Sequence, residues 1–434
     1  FTQRFHFSRL NSINSTISND SYTSMSSIYM RLIRFFGVAL FSKKSNTKPV
    51  SALEEVAEDE ILSEDFQLPK EDYEELGFRQ DPFALDIDPT DPRNTPGISE
   101  FRELRKKIYA ITRENMNMVV IGPSGIGKTL LARTMATAYD LGKVQRRTAY
   151  IDAISSEVNL YEKIYSSELI LIDNAQPLWQ QLNEYSLNEY DEAARVVAFL
   201  SYFDYRKLME KAKSHGKARF SFLGSMSYHK SRIPRLNPIN IVQMLNHRLI
   251  HSRNSAENGS SITPFSKEAL NEIAHYSLGL PIMALQIASD TLSEFAANPR
   301  SSEKKEILAE SVHEVVRSSP YSMALGIVES ATSNKVIYQD QDARRQLSLR
   351  GPRKEVLITM AQSSQPQDNG RLGPFNIERS ELKQYLSRSP STISHHTMRL
   401  AEDGYFLINP KGNSVSYSFT SPIYRALELL SYEQ

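Results

Sequence analysis

The sequence predicts an α/β fold: a parallel sheet with helices on its faces, then an all-helical unit, then a small unit of three helices that runs into a hairpin. Three observations predict it. Between residues 116 and 236 short apolar strands alternate with helical stretches, the pattern of a parallel sheet. After about Asn237 the periodicity is helical only. From Gly351 short helices and a turn lead directly into two segments of alternating polarity.

The elements follow in order. At 434 residues the chain exceeds a single hydrophobic core, so two or three domains are expected. Residues 1–50 lack periodicity and are expected to be a disordered leader, and residues 51–77 an acidic linker with Lys70 as its only basic residue. Pro82, Pro89, Pro92 and Pro96 mark an extended approach segment. Phe101, Leu104, Ile108 and Ile111 recur at helical spacing within Ser99 to Asn115. A strand is expected over Met116 to Ile121, a helix over Lys128 to Tyr139, and strands over Thr148 to Ile151 and Glu168 to Ile172. A long helix is expected over Asn183 to Ser214 and a fourth strand over Phe220 to Gly224. This sheet domain spans residues 78–236. A helical lid domain, 237–319, holds helices over Ile239 to Arg253, Ser266 to Ser277, Pro281 to Ala296 and around Lys304 to Val316. Residues 320–350 are expected to be a polar linker and 351–434 the C-terminal domain.

Lys plus Arg equals Asp plus Glu at 51 each, so no global field favours nucleic acid. Locally, Gln341 to Arg399 carries ten Lys and Arg against five Asp and Glu. The absence of cysteine removes disulfides and thiolate sites and is compatible with a reducing cytoplasm, the expected location. No apolar run is long enough to span a bilayer. The nearest, Ile28 to Phe41, is broken by Arg31 and Arg34 and followed by Lys43 and Lys44. Three readings of it stand: an interfacial membrane contact over residues 28–44, a targeting leader, or upstream sequence before a true start near Met25 or Met30.

The chemistry concentrates in Gly122-Pro123-Ser124-Gly125-Ile126-Gly127-Lys128-Thr129, which matches G-x-x-x-x-G-K-[ST] between an apolar strand and a helix. Its glycines let backbone N–H groups curl around phosphates, and the helix that opens at Lys128 and Leu130 adds its positive end. Lys128 neutralises the β- and γ-phosphates, and the Thr129 hydroxyl ligates Mg²⁺. Asp173, closing the apolar strand Leu169-Ile-Leu-Ile172, supplies the second metal ligand. ATP and Mg²⁺ are therefore the expected cofactors. Asn174 follows where a general base would serve hydrolysis; an amide cannot accept that proton, although Asn174 or Gln176 can orient a water. Binding is expected, and hydrolysis is left open. Ser225, at the end of the predicted fourth strand, is the candidate sensor of the γ-phosphate. Arg248 and Arg253 are candidates to reach a phosphate in cis or from a neighbouring subunit, and Gly279-Leu280-Pro281 is either a tight backbone against the base or a plain helix–helix turn.

In the C-terminal domain, helices over Arg353 to Ala361 and Arg379 to Leu386 precede a third from Ser391 to Ala401. There Thr392, His395, His396 and Arg399 share a polar face, with Ser389 and Ser391 at its N-terminal end. The strands Tyr405 to Asn409 and Ser414 to Phe419 flank a turn bearing Lys411. A helix-turn-helix followed by a hairpin is a winged helix, and its third helix is expected to enter the major groove of double-stranded DNA while Lys411 tracks a phosphate. A protein-packing role for the same module remains open. The two histidines have no ligand set at metal spacing around them.

With these parts in this order, residues 77–430 resemble AAA+ ATPases of the origin-recognition and replication-initiator group, especially the archaeal form. Gly77-Phe-Arg-Gln-Asp-Pro-Phe83 is similar to the approach segment of related secretion-type and transposition-type ATPases, and Gly279-Leu280-Pro281 to the Gly-x-Pro turn of STAND-type signalling ATPases. The resemblance implies a P-loop sheet domain with a helical lid, ATP binding, a DNA partner and homo-oligomerisation. Two departures stand out: Asn174 replaces the usual Glu, and no lid Arg adjoins Gly279. Two functions follow, a nucleotide-switched DNA binder acting in replication initiation or transcription control, and a signalling ATPase whose nucleotide state governs assembly.

Overall fold

The computed structural model describes residues 73–433 apart from 75, 86–87, 95–96, 115, 141–146, 155–159, 161–162, 164–165, 183–193, 216–227, 254–263, 298–305, 318–319, 333–348, 350, 367–373, 387–388 and 412–413. The leader, most of the acidic linker and the 28–44 patch lie outside the described residues, as does the predicted strand over Phe220 to Gly224.

Helix α1 (Ser99–Arg113) buries Leu104, Ile108 and Ile111, the stripe its spacing predicts. It leads to strand β1 (Asn117–Gly122) and helix α2 (Lys128–Asp140), then to strands β2 (Thr148–Asp152) and β3 (Leu169–Asp173). Strand β4 (Arg195–Ser201) runs into helix α3 (Tyr202–His215), and β5 (Tyr228–Arg232) completes the set. All pairings are parallel, in the order β2-β3-β4-β1-β5. Every residue of β3, and Val196 to Leu200 of β4, is buried, because helices cover both faces. This is the P-loop α/β architecture that the sequence predicts, with the Gly-rich loop rising from a central strand.

The structure departs from the expected order in one stretch. Asn183 to Ser214 is not one helix: β4 occupies Arg195–Ser201 and α3 begins at the next residue. A doubly covered strand is a continuous apolar run without period, and no Gly or Pro separates it from the helix that follows.

The helical unit comprises α4 (Pro238–His251), α5 (Lys267–Tyr276), α6 (Pro281–Ala297) and α7 (Ala309–Arg317). Asn237 and Ser266 cap α4 and α5 by accepting the N–H groups of Asn240 and Ala269. The predicted linker from residue 320 begins instead with helix α8 (Pro320–Thr332), which buries Tyr321, Ala324, Ile327 and Val328. Its apolar content was obscured by Gly326 in its middle.

The C-terminal unit holds α9 (Pro352–Ser363), short strands β6 (Gln365–Pro366) and β7 (Phe375–Glu378), α10 (Arg379–Tyr385), α11 (Pro390–Glu402), β8 (Leu407–Lys411) and β9 (Ser414–Phe419). Its antiparallel sheet runs β6-β7-β9-β8. Beyond the predicted hairpin lies α12 (Ser421–Glu433), buried from Ser421 to Tyr432 and packed against α8.

Candidate phosphate-binding site

The loop after β1 has the backbone its glycines permit. Gly125 and Gly127 sit at φ +84° and +99°, a region that side chains disfavour. Both are also closely covered. A Cβ on Gly125 would lie 2.1 Å from Ile282 Cγ2, and one on Gly127 3.0 Å from Phe101 Cζ. The lid is seated on the loop directly, since Ile282 N–H donates to Gly125 O at 3.3 Å. Lys128 is buried, and its ammonium donates to Gly122 O and Pro123 O, both at 2.9 Å, so its charge is held at the mouth of the loop. Pro123 and Ile126 are buried and Leu130 is half-buried in the first turn of α2.

Thr129 and Asp173, the two expected metal ligands, are brought together. Thr129 Oγ1 donates to Asp173 Oδ2 at 2.5 Å, and the carboxylate is fully buried. Two hard oxygens beside a glycine-built loop that opens a helix fit a Mg²⁺–nucleotide: Thr129 and Asp173 would hold the metal and the loop the phosphates. Bound there, the ion would neutralise phosphate charge.

Asn174 adopts φ +51°, a conformation Asn tolerates better than Glu, and its amide donates to Asp152 Oδ1 at 2.9 Å. Asp152 ends β2 in register with Asp173, so a second carboxylate lies at this edge that the sequence reading had passed over. Gln176 is half-buried in the following turn.

Other assignments change. Ser225 falls outside the described residues. The strand-end serine beside the loop is Ser201, opposite Gly122, and its hydroxyl both accepts from Asp204 N–H and pairs with Asp204 Oδ2. Arg248 is not at the phosphate site. It is buried at 3% exposure, and its guanidinium donates to Ala84 O at 2.8 Å, to Pro82 O at 3.5 Å and to Asn94 Oδ1. It fastens the approach segment, whose Phe78 and Phe83 are fully buried, to α4. Arg253 stacks on Phe78, its guanidinium carbon 5.7 Å from the ring centre. Gly279, at φ +74°, lies in the turn between α5 and α6, where it abuts the Leu236 backbone and Arg235 Cβ and accepts from Leu236 N–H.

No protein-family model matches the chain, and no curated protein matches it. Solved structures do. It is similar to Thermotoga maritima RuvB, a Holliday junction branch migration motor, at 14% identity over 76% of this chain and 93% of that one, TM-score 0.35. It is similar to the Aeropyrum pernix ORC2 protein, solved in ADPNP–ADP complexes, at 14% identity over 79% and 97%, TM-score 0.37. Drosophila ORC, solved bound to DNA, matches at 13% identity over 93% and 99%, TM-score 0.36.

The site also contains contacts that sequence reasoning missed. Ser124 N–H donates to Glu428 Oε2 at 2.6 Å, and Phe203 N–H to Glu428 Oε1 at 3.2 Å. Tyr432 Oη donates to Ile233 O at 2.9 Å and is 3.2 Å from Ile121 O. Arg425 donates to Gln286 Oε1 at 3.3 Å, and burial lowers its pKa to about 10 against the opposing pull of Tyr321, Glu428 and Tyr424. The available signal was two charges in an otherwise apolar helix, Pro422-Ile-Tyr-Arg425-Ala-Leu-Glu428-Leu-Leu430.

On α11, Ser389 accepts Thr392 N–H as the N-cap, and its hydroxyl lies 3.0 Å from that of Ser391. Ile393, Thr397 and Leu400 are buried. Ser391, His395 and Arg399 are exposed beside Met398, whereas Thr392 and His396 are half-buried, so the predicted polar face is split. The Lys411 side chain lies outside the described residues.

Proposed function

We propose that this chain binds ATP with Mg²⁺ and that nucleotide occupancy controls contact between its C-terminal unit and double-stranded DNA. The observation that carries the nucleotide is the glycine-built loop with Lys128 at its mouth and the buried Thr129–Asp173 pair behind it. The DNA reading is supported by α10 and α11 standing before the β8–β9 hairpin in the order of a winged helix, with Ser391, His395 and Arg399 exposed on the second of these helices. Asn174 carries no group that accepts a proton from water, so binding is the function proposed and replication initiation or transcription control the process.

A second reading has one observation in its favour. The C-terminal unit is docked on the loop through Glu428, which suits a signalling ATPase in which that unit is a packing element and nucleotide governs self-assembly.

Duplex binding by the full chain, measured with and without ATP–Mg²⁺ across a salt series, decides between them. The first reading expects salt-sensitive binding that shifts with ATP, loses the shift in Lys128→Ala, and has a log–log salt slope shallower by about 1 in Arg399→Ala. No duplex binding in any state, with ATP-dependent oligomerisation, refutes the first reading and supports the second.

A further inference from the structure

The carboxylate of Glu428 is placed where an anion of the substrate would be expected. Glu428 has no exposed surface and accepts two backbone N–H groups, from Ser124 and Phe203. Ser124 is the second residue beyond the end of β1, and Phe203 the second beyond the end of β4. These strands are neighbours, with Gly122 opposite Ser201. The carboxylate therefore bridges the carboxyl edges of two adjacent strands. On the other side of β4 lies β3, whose last residue, Asp173, forms the oxygen pair with Thr129. A phosphate chain seated on the loop amides, with its metal at Thr129 and Asp173, has its terminal group along this same edge, where neighbouring strands are only about 4.8 Å apart.

We propose that Glu428 is a specificity-determining residue of the phosphate site: it holds a loop amide against the terminal phosphate of a nucleoside triphosphate, so a triphosphate displaces α12 and a diphosphate does not. Two buried anions cannot share the edge without strong repulsion, because low local polarizability leaves them poorly screened. A diphosphate ends one phosphate earlier and leaves the carboxylate in place. Displacement of Glu428 is felt across the junction. Arg425, one turn before it, packs at Gly125, with Nε 3.4 Å from where a Cβ would stand, and bonds to Gln286 of the lid helix α6. Tyr432, one turn after it, bonds to Ile121 O and Ile233 O. The C-terminal unit is thereby coupled to the number of phosphates bound. The proposal rests on the nucleotide-binding half of the function above and on neither role for the C-terminal unit.

The test uses the full chain as wild type, Glu428→Gln and Lys128→Ala, titrated calorimetrically with Mg²⁺–ADP and with the Mg²⁺ complex of a non-hydrolysable ATP analogue. Glu428→Gln keeps the shape and one acceptor while removing the charge. It is expected to tighten the analogue about tenfold and ADP by less than about threefold, while Lys128→Ala weakens both. In the wild type, hydrogen exchange over residues 421–433 is expected to accelerate with the analogue and not with ADP, a readout that stands even if the variant folds poorly. Equal changes for the two nucleotides, weaker analogue binding in Glu428→Gln, or exchange over 421–433 unchanged by the analogue would each overturn the proposal alone. Binding of neither nucleotide by folded wild type would overturn the nucleotide reading itself.

Discussion

Gly125 offers a perturbation whose cost can be worked from the structure. Gly125→Ala imposes two separate penalties. At φ +84° an alanine backbone is disfavoured by about 1–2 kcal/mol. The new methyl would also lie 2.1 Å from Ile282 Cγ2 and 3.1 Å from Ile282 Cβ. A rotamer change moves the first atom but not the second, which is fixed to the start of α6, so the lid itself must shift. Overpacking of that kind costs about 1–3 kcal/mol. The sum is about 2–5 kcal/mol. Only the steric part depends on Ile282, so the two are separable in a double-mutant cycle of Gly125→Ala and Ile282→Gly, which removes both close atoms, read by chemical denaturation. In the Ile282→Gly background the Gly125 substitution should cost only the backbone part, about 1–2 kcal/mol. A cost within about 0.5 kcal/mol of that in the native background would show that lid and loop are not in contact as described.

Two further outcomes follow from the corrected site. Arg248→Met should lower stability by about 2–4 kcal/mol, because it strips the guanidinium from three oxygen acceptors of the approach segment. It should leave ATP affinity of the folded protein within about threefold, and a selective loss of affinity at unchanged stability would return Arg248 to the phosphate site. Thr129→Val should cost about 1–3 kcal/mol by leaving the buried Asp173 carboxylate without its hydroxyl partner. It should also abolish the Mg²⁺ dependence of nucleotide affinity in a titration with and without the metal, and retention of that dependence would place the ion elsewhere.

The parts of the site that were legible in the sequence are those whose chemistry is local. The loop residues are contiguous, and Asp173 closes a strand whose apolar run announces itself. What escaped is long-range or unpunctuated. Ser201 was hidden because Val196 to Leu200 passes into Tyr202 without a breaker, and the whole stretch then reads as helix. Arg248 looks like any helix-surface arginine until Pro82, Ala84 and Asn94, more than 150 residues away, are folded against it. Glu428 bonds a residue 304 positions earlier, and no local period encodes that distance. A charged residue embedded in a helix apolar on all sides is nevertheless a costly choice, and that cost is the trace such a contact leaves in a sequence.

The seating of α12 on β1 also has a consequence for how the protein is made. Tyr432 closes on the carbonyl of Ile121 across 311 residues of chain. At about 5–20 residues per second, synthesis separates the two by roughly 15–60 seconds. During that interval the Gly-rich loop exists on the nascent chain while Glu428 does not. If Glu428 competes with a triphosphate as proposed above, a nucleotide arriving early would meet a loop with no competing carboxylate, and the C-terminal helix would emerge onto a site already filled. The arrangement the newborn protein adopts first would then follow the nucleotide supply around the ribosome.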